Sequence, residues 1–267
     1  MNQGGSSTIT RTRDSASIVL PTLLMLLKQM WAASPSLVEH GIRTAHYAGS
    51  LGRRLSLPAA SLLDLVHAAL LHDIGKVTLP KELLEQEGPL STEEYVLMQS
   101  HPRAGARLLL PYPSLHRAAV LIAHHHERWD GSGYPYGIRG EWIPLGSRIL
   151  AVADTFDAVF SDTGRCRRDA VPFAIGLLRR VAGSQLDPAL MEPFAACVLN
   201  GDEAITSRDC SGQDVPPALD GEGLGSSGPS PFLYSARFEP SDSGGVHERR
   251  ESRDARRFNS ADRENQP

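Results

Sequence analysis

Residues 37–55 decide the fold: Leu37, Val38, Ile42, Ala45, Ala48, Leu51 and Leu55 recur at three- and four-residue steps, the spacing that lays apolar side chains along one face of an α-helix. Working outward, the same period continues and strand-like alternation is scarce. It predicts further helices at about 60–73, 91–100, 103–110, 116–126, 146–160, 171–182 and 188–199. The punctuation agrees. Ser91 with Glu94 matches a capping box, Pro102 suits a helix opening, and Gly75 stands where a C-terminal stop belongs. The expected fold class is all-α.

The helical pattern occupies residues 17–200 of a 267-residue chain that is 41% hydrophobic, enough to bury one core. Residues 1–16 are rich in Ser, Thr, Gly and Arg, and residues 201–267 in Ser, Gly, Pro and charged residues; both are expected to be disordered. Phe232, Leu233, Tyr234 and Phe238 would serve as a docking peptide if the tail has a partner. A formal charge of -4 and a pI near 6.2 give no cationic field for long nucleic acid. Cys166, Cys197 and Cys210 form neither a disulfide framework nor a thiolate metal site, as expected of a reducing compartment. The apolar run Ile18–Leu27 is too short to span a bilayer, is broken by Pro21 and is followed by Lys28. A polar segment precedes it, unlike a signal peptide, so the expectation is a cytoplasmic protein without a membrane span.

Nine of the ten histidines lie between positions 40 and 126, several beside acidic residues where predicted helices end. Neighbours on a helix point about 100° apart, so His72 and Asp73 can serve one site only at a helix end or between two ions. Imidazole takes one divalent cation and a carboxylate can bridge two, so the pair suits a dinuclear centre. His125-His126 repeats the arrangement after the apolar run Ala118–Ala123 and before the turn signals Asp130-Gly131 and Gly133-Tyr134-Pro135. His101 precedes Pro102, which biases it away from helical geometry. Asp154 falls inside the apolar stretch Ile149, Leu150, Val152, Ala153, Phe156, where an unpaired carboxylate is costly and a metal would neutralise it. Asp157 reads as a supporting or capping carboxylate. His46, His67, His116, His124 and His247 are taken as ordinary surface or hydrogen-bonded residues.

The run His40-x-x-Arg43, His72-Asp73-Ile74-Gly75-Lys76, His101-Pro102, His125-His126-Glu127-Arg128-Trp129-Asp130-Gly131-Ser132-Gly133-Tyr134-Pro135 and Ala153-Asp154-x-x-Asp157-Ala158 resembles the HD-GYP subgroup of HD-domain phosphohydrolases in order and spacing over residues 30–200. The resemblance implies an HD-domain helical bundle with an HD-GYP extension. It implies hydrolysis of the second messenger cyclic di-GMP to pGpG or GMP with iron or manganese. By position, His40, His72, Asp73 and Asp154 would surround one ion, and Asp73 would bridge to a second held by His101, His125 and His126. Asp73 and Lys76 would be catalytic, Lys76 facing the scissile phosphate. Tyr134 would shape the loop over the ligand or present a surface to other signalling proteins.

The sequence departs from that pattern twice. Family members with a third metal carry a Glu four residues before the first His; Ser36 stands here, so two ions are expected. The family's basic segment after its second Asp is replaced, with Thr163 and Cys166 at the expected cationic positions; Arg165, Arg167 or Arg168 would have to reach the ligand instead. Two alternatives follow: a phosphodiesterase for another cyclic dinucleotide, or a weakly active regulatory module that acts through protein contacts.

Overall fold

The computed structural model describes residues 8–86, 88–162 and 167–199. Among them the regular elements are helices: α1 (Thr8–Ala33), α2 (Pro35–Arg54), α3 (Ala59–Leu71), α4 (Lys81–Leu84), α5 (Thr92–Met98), α6 (His101–Leu109), α7 (His116–Ala123), α8 (Leu145–Asp162), α9 (Arg167–Arg180) and α10 (Met191–Leu199). The all-α expectation is met. α1 begins inside the stretch 1–16 expected to lack order and runs through Pro21. Extending an existing helix costs far less than starting one, so polar residues can be carried along by the apolar run that follows them. Residues 200–267, with His247 and the tail aromatics, lie outside the described residues.

α2 packs along α3 and α8, α3 against α7, and α6 against α7. The buried face of α2 runs through Val38, Gly41, Thr44, Ala45, Ala48 and Leu51, and Ile42, which the spacing placed inside, is 47% exposed. Beside Ile42 the inward positions are the small residues Gly41, Thr44 and Ala45, and a Cβ on Gly41 would collide with the Leu70 carbonyl of α3, so α3 approaches too closely there for a large side chain. α8 is the most deeply buried element. Ile149, Leu150, Val152, Ala153 and Phe156 are wholly buried in it, and Phe156 meets Tyr47 of α2 edge-on at 4.8 Å.

Two local expectations need correcting. Gly75 is not a helix stop: α3 ends at Leu71, and Gly75 lies within a 3-10 turn, Ile74–Thr78. A Cβ there would collide with the His101 carbonyl and the Gly105 amide, so glycine is required because α6 crosses at backbone contact. His101 is not outside helical geometry either; it is the first residue of α6, and Pro102 fills the second position, where no amide hydrogen is needed. The capping box is present: Glu94 N–H donates to Ser91 Oγ at 3.2 Å, and Ser91 N–H donates to Glu94 Oε2 at 2.8 Å.

Candidate metal centre

Three of the clustered histidines sit just beyond helix C-termini, where the last carbonyls lack intrahelical partners. His72 Nδ1–H donates to Ala69 O in the last turn of α3 at 2.8 Å. His101 Nδ1–H donates to Met98 O, the end of α5, at 2.7 Å, and His125 Nδ1–H to Ile122 O in the last turn of α7 at 2.6 Å. Each imidazole thus satisfies a helix-end carbonyl three residues back. Because the carbonyl only accepts, the proton is on Nδ1 and the Nε2 lone pair faces inward.

The other end is built between two helices. His40 of α2 meets two carboxylates of α8: Nδ1 lies 2.7 Å from Asp157 Oδ2 and Nε2 lies 2.9 Å from Asp154 Oδ1. Arg43, one turn along α2, forks onto Asp157, with Nε to Oδ1 at 2.7 Å and Nη2 to Oδ2 at 2.9 Å. The two i,i+3 pairs His40/Arg43 and Asp154/Asp157 therefore face each other rung by rung. Asp157 is the supporting carboxylate expected. The part of Arg43 was missed, although the same spacing on two packed helices is a readable signal.

Between these ends the donors converge. The ligand atoms of His101, His125 and His126 lie within 4.8 Å of one another, as do those of His40, His72 and Asp73, and those of His72, His125 and Asp154. The third grouping joins the two sets that the sequence kept apart. Asp73 lies in the middle, with Oδ1 3.5 Å from His101 Nε2 and Oδ2 3.6 Å from His72 Nε2, and Lys76 Nζ donates to Oδ2 at 2.7 Å.

Electrostatics separate the ends. Burial pushes His101 down to about 3 and His125 to about 4, and it drives His126 well below the usual imidazole value. Burial opposes charge at His40 as well, but the bonds from Asp154 and Asp157 raise it to about 10. Burial would also push Asp73 up; the charges of Lys76 and the surrounding histidines hold it well below the carboxylate range instead. Asp154 is likewise held well below the carboxylate range against burial, by its hydrogen bond to His40 and by the nearness of His72, 3.6 Å away.

The residues present fit a metal. His72 Nε2, Asp73 Oδ1 and Asp154 Oδ2, all three within the cluster, are buried without a hydrogen-bond partner among the described residues. His101 Nε2 lies 3.4 Å from His125 Nε2, and with the proton of each ring on Nδ1 the two lone pairs face one another and repel unless a cation sits between them. Mixed imidazole and carboxylate donors suit first-row divalent ions.

Around the cluster, Tyr134 lies on His126 with ring centroids 4.9 Å apart, and its hydroxyl is raised well above its usual value, chiefly by burial. Ser36 is exposed, with its Oγ 2.8 Å from Ser34 Oγ. Arg165, Thr163 and Cys166 lie outside the described residues, as do the side chains of Arg167 and Arg168. His67 is buried within α3, while His116 and His124 bond the carbonyls of Leu110 and Val120; none of these three is in the cluster. His46 packs its ring on Tyr47. No described helix is long and apolar enough to cross a membrane.

Comparison with known proteins places these features in a context. A family profile described as HD domain matches residues 25–190. The chain is 38% identical over 152 residues to the cyclic di-GMP phosphodiesterase response regulator RpfG of Xanthomonas campestris, covering 56% of this chain and 40% of that protein. It is 37% identical over 193 residues to a cyclic di-GMP phosphodiesterase of Pseudomonas aeruginosa, covering 69% of this chain and 45% of that protein. The chain thus matches under half the length of these curated relatives. An HDG"Y"P protein from Bdellovibrio bacteriovorus superposes with a TM-score of 0.50 at 22% identity, over 62% of this chain and 53% of that one, a likeness of fold.

Proposed function

The chain belongs to the HD domain family, and from that membership we propose that it is a metal-dependent phosphodiesterase that hydrolyses cyclic di-GMP to pGpG or GMP. The observation that carries the reading is the convergence of seven donor residues, His40, His72, Asp73, His101, His125, His126 and Asp154, three of whose buried polar atoms have no hydrogen-bond partner among the described residues. The named activities of the Xanthomonas and Pseudomonas relatives support the substrate class.

In this reading two divalent ions, iron or manganese, are held by these residues, His40, His72, Asp73 and Asp154 toward one and His101, His125 and His126 with Asp73 toward the other. When bound, such ions would supply an acidified water and positive charge for the phosphate oxygens. The remaining work belongs to the chain. Asp73 and Lys76 are the catalytic pair: Lys76 keeps its ammonium 2.7 Å from Asp73 and is buried except for about a sixth of its surface, a side-chain exposure of 17%. From there it is available to the scissile phosphate as a fixed positive charge. The helix-end carbonyls hold His72, His101 and His125 with their lone pairs inward. Tyr134 covers His126 and offers an aromatic wall to a guanine base.

Arg165 and Arg167 are proposed as the phosphate contacts in place of the family's basic pair, within a catalytic unit spanning residues 17–200 of a cytoplasmic protein. The test is metal analysis of anaerobically purified protein alongside turnover of cyclic di-GMP. About two ions per chain and a linear product with Fe(II) or Mn(II) are expected. Metal-loaded protein that yields no linear product would sink the proposal. Thr163 and Cys166 favour a second reading, in which another cyclic dinucleotide is preferred. Comparative rates on cyclic di-GMP, cyclic GMP-AMP and cyclic di-AMP decide between the two.

A further inference from the structure

We propose that Glu127 is a positioning residue that fixes Tyr134 over His126 and thereby sets the affinity for the cyclic dinucleotide; the proposal rests on the functional reading above. The loop between α7 and α8 contains one short 3-10 turn, Gly140–Trp142, and no other regular element. Its shape must therefore come from particular bonds, and three of the anchors around Tyr134 come from residues 126–128.

Before Tyr134, Gly133 presses backbone to backbone on the chain it follows: a Cβ there would collide with the Arg128 amide, the His126 carbonyl and Glu127 Cα. At Tyr134 itself, the N–H donates to His126 O at 3.2 Å. After it, the Glu127 carboxylate accepts from Tyr136 N–H at 2.7 Å and from Ile138 N–H at 3.1 Å. Glu127 is 3% exposed. A buried carboxylate that accepts two amides on the return arm of a loop makes the strong, charge-assisted kind of hydrogen bond and defines the path between its anchors. Two cross-links, Trp129 N–H to Gln185 O at 3.0 Å and Asp130 N–H to Ser184 O at 2.9 Å, tie the outer part of the loop to the segment after α9.

The arrangement registers two side chains to each other. His126 supplies an imidazole to the donor cluster, and the backbone of His126 with the side chain of Glu127 places the ring that covers that imidazole. A change in Glu127 should therefore leave the donors where they are and let Tyr134 drift. Gln at 127 keeps the size of the side chain and one accepting oxygen, but its amide nitrogen cannot accept the second N–H.

The experiment uses the full metal-loaded chain, with wild type, E127Q, Y134A and the double variant compared by metal analysis, by amide hydrogen exchange at Tyr136 and Ile138, and by kinetics on cyclic di-GMP. E127Q should speed exchange at those amides about tenfold, keep its metal, and raise KM about tenfold with kcat within about twofold. The double variant should be no worse than Y134A, because both changes act through one ring. Faster exchange with unchanged KM, loss of metal, a matching fall in kcat, or additive effects in the double variant would each overturn the proposal. A wild-type chain that turns over no cyclic dinucleotide defeats the functional reading and the kinetic role of Glu127 together, whereas the exchange measurement separately decides whether the clamp exists.

Discussion

The two ends of the donor cluster hold the same kind of side chain, an imidazole, by opposite means. His72, His101 and His125 are supported locally, each by a helix-end carbonyl three residues back. His40 is supported from 117 positions away by Asp157, which is itself held by Arg43. A carbonyl is neutral and belongs to the backbone, so at the local end burial dominates and His101 and His125 are kept neutral. A carboxylate is charged, so at the remote end His40 is drawn toward the protonated form. The contrast teaches that a helix terminus provides a ready seat for a neutral imidazole ligand, whereas a ligand in mid-helix needs an imported carboxylate and a cation to steady that carboxylate in turn.

Asp73 belongs to both ends and gives the largest expected effect. Asp73→Ala removes an oxygen near His72, an oxygen near His101 and the partner of Lys76 at one stroke. Metal content should fall at both ends and turnover should drop at least about 10³-fold. Metal analysis with a turnover assay checks this, and a variant that keeps both ions would show that the ends are independent. Arg43→Ala comes next and should discriminate between them. Losing the fork on Asp157 frees the carboxylate that orients His40, so affinity for one ion should fall about 10–100-fold while the other stays. Arg43→Lys should recover only part of it, because an ammonium cannot make both bonds. A calorimetric metal titration that shows two equal losses would break the comparison.

Proton linkage sharpens it further. In metal-free protein, His101 at about 3 and His125 at about 4 lie below the ordinary 6.5, so the unfolded chain binds more protons and stability should fall as pH drops below about 6.5 toward those values. His40 at about 10 has the opposite sign: its contribution is complete below 6.5 and is lost as pH rises through about 10. Melting temperatures across pH should show a shallower acid limb in His101→Gln and a shallower alkaline limb in His40→Gln. Both variants altering the same limb would refute the assignment.

Much of this was legible in the residues. The helical period points to the bundle because side-chain burial follows the repeat directly, and the histidines and carboxylates that come together were readable as candidate donors because His-Asp and His-His at helix ends are chemically unusual. The inner face of α2 was not, since Ile42 is turned outward by the packing of two neighbours that no local pattern announces. Gly75 reads as a stop because the sequence cannot show that α6 crosses there. Asp157 was expected to support the site, but its partnership with Arg43 spans 114 positions and depends on the register of α2 against α8. The role of Glu127 is not legible in the residues, because its partners are backbone amides, which carry no residue signature.

The smallest expected effect tests the local end. Ser147 of α8 is wholly buried and donates from Oγ to Leu121 O at 3.0 Å, in the last turn of α7 whose next carbonyl holds His125. Leu121 O also accepts the His124 N–H at 3.2 Å, so removing the hydroxyl does not strand it. Ser147→Ala should therefore cost about 1 kcal/mol of stability, and metal affinity should stay within about twofold, since the bond that fixes His125 is untouched. Thermal unfolding and a metal titration on the same sample check both halves. If Ser147→Ala cost as much metal affinity as Arg43→Ala, the histidines at the helix ends would depend on a neighbouring helix no less than His40 does, and local backbone support would not be what distinguishes them.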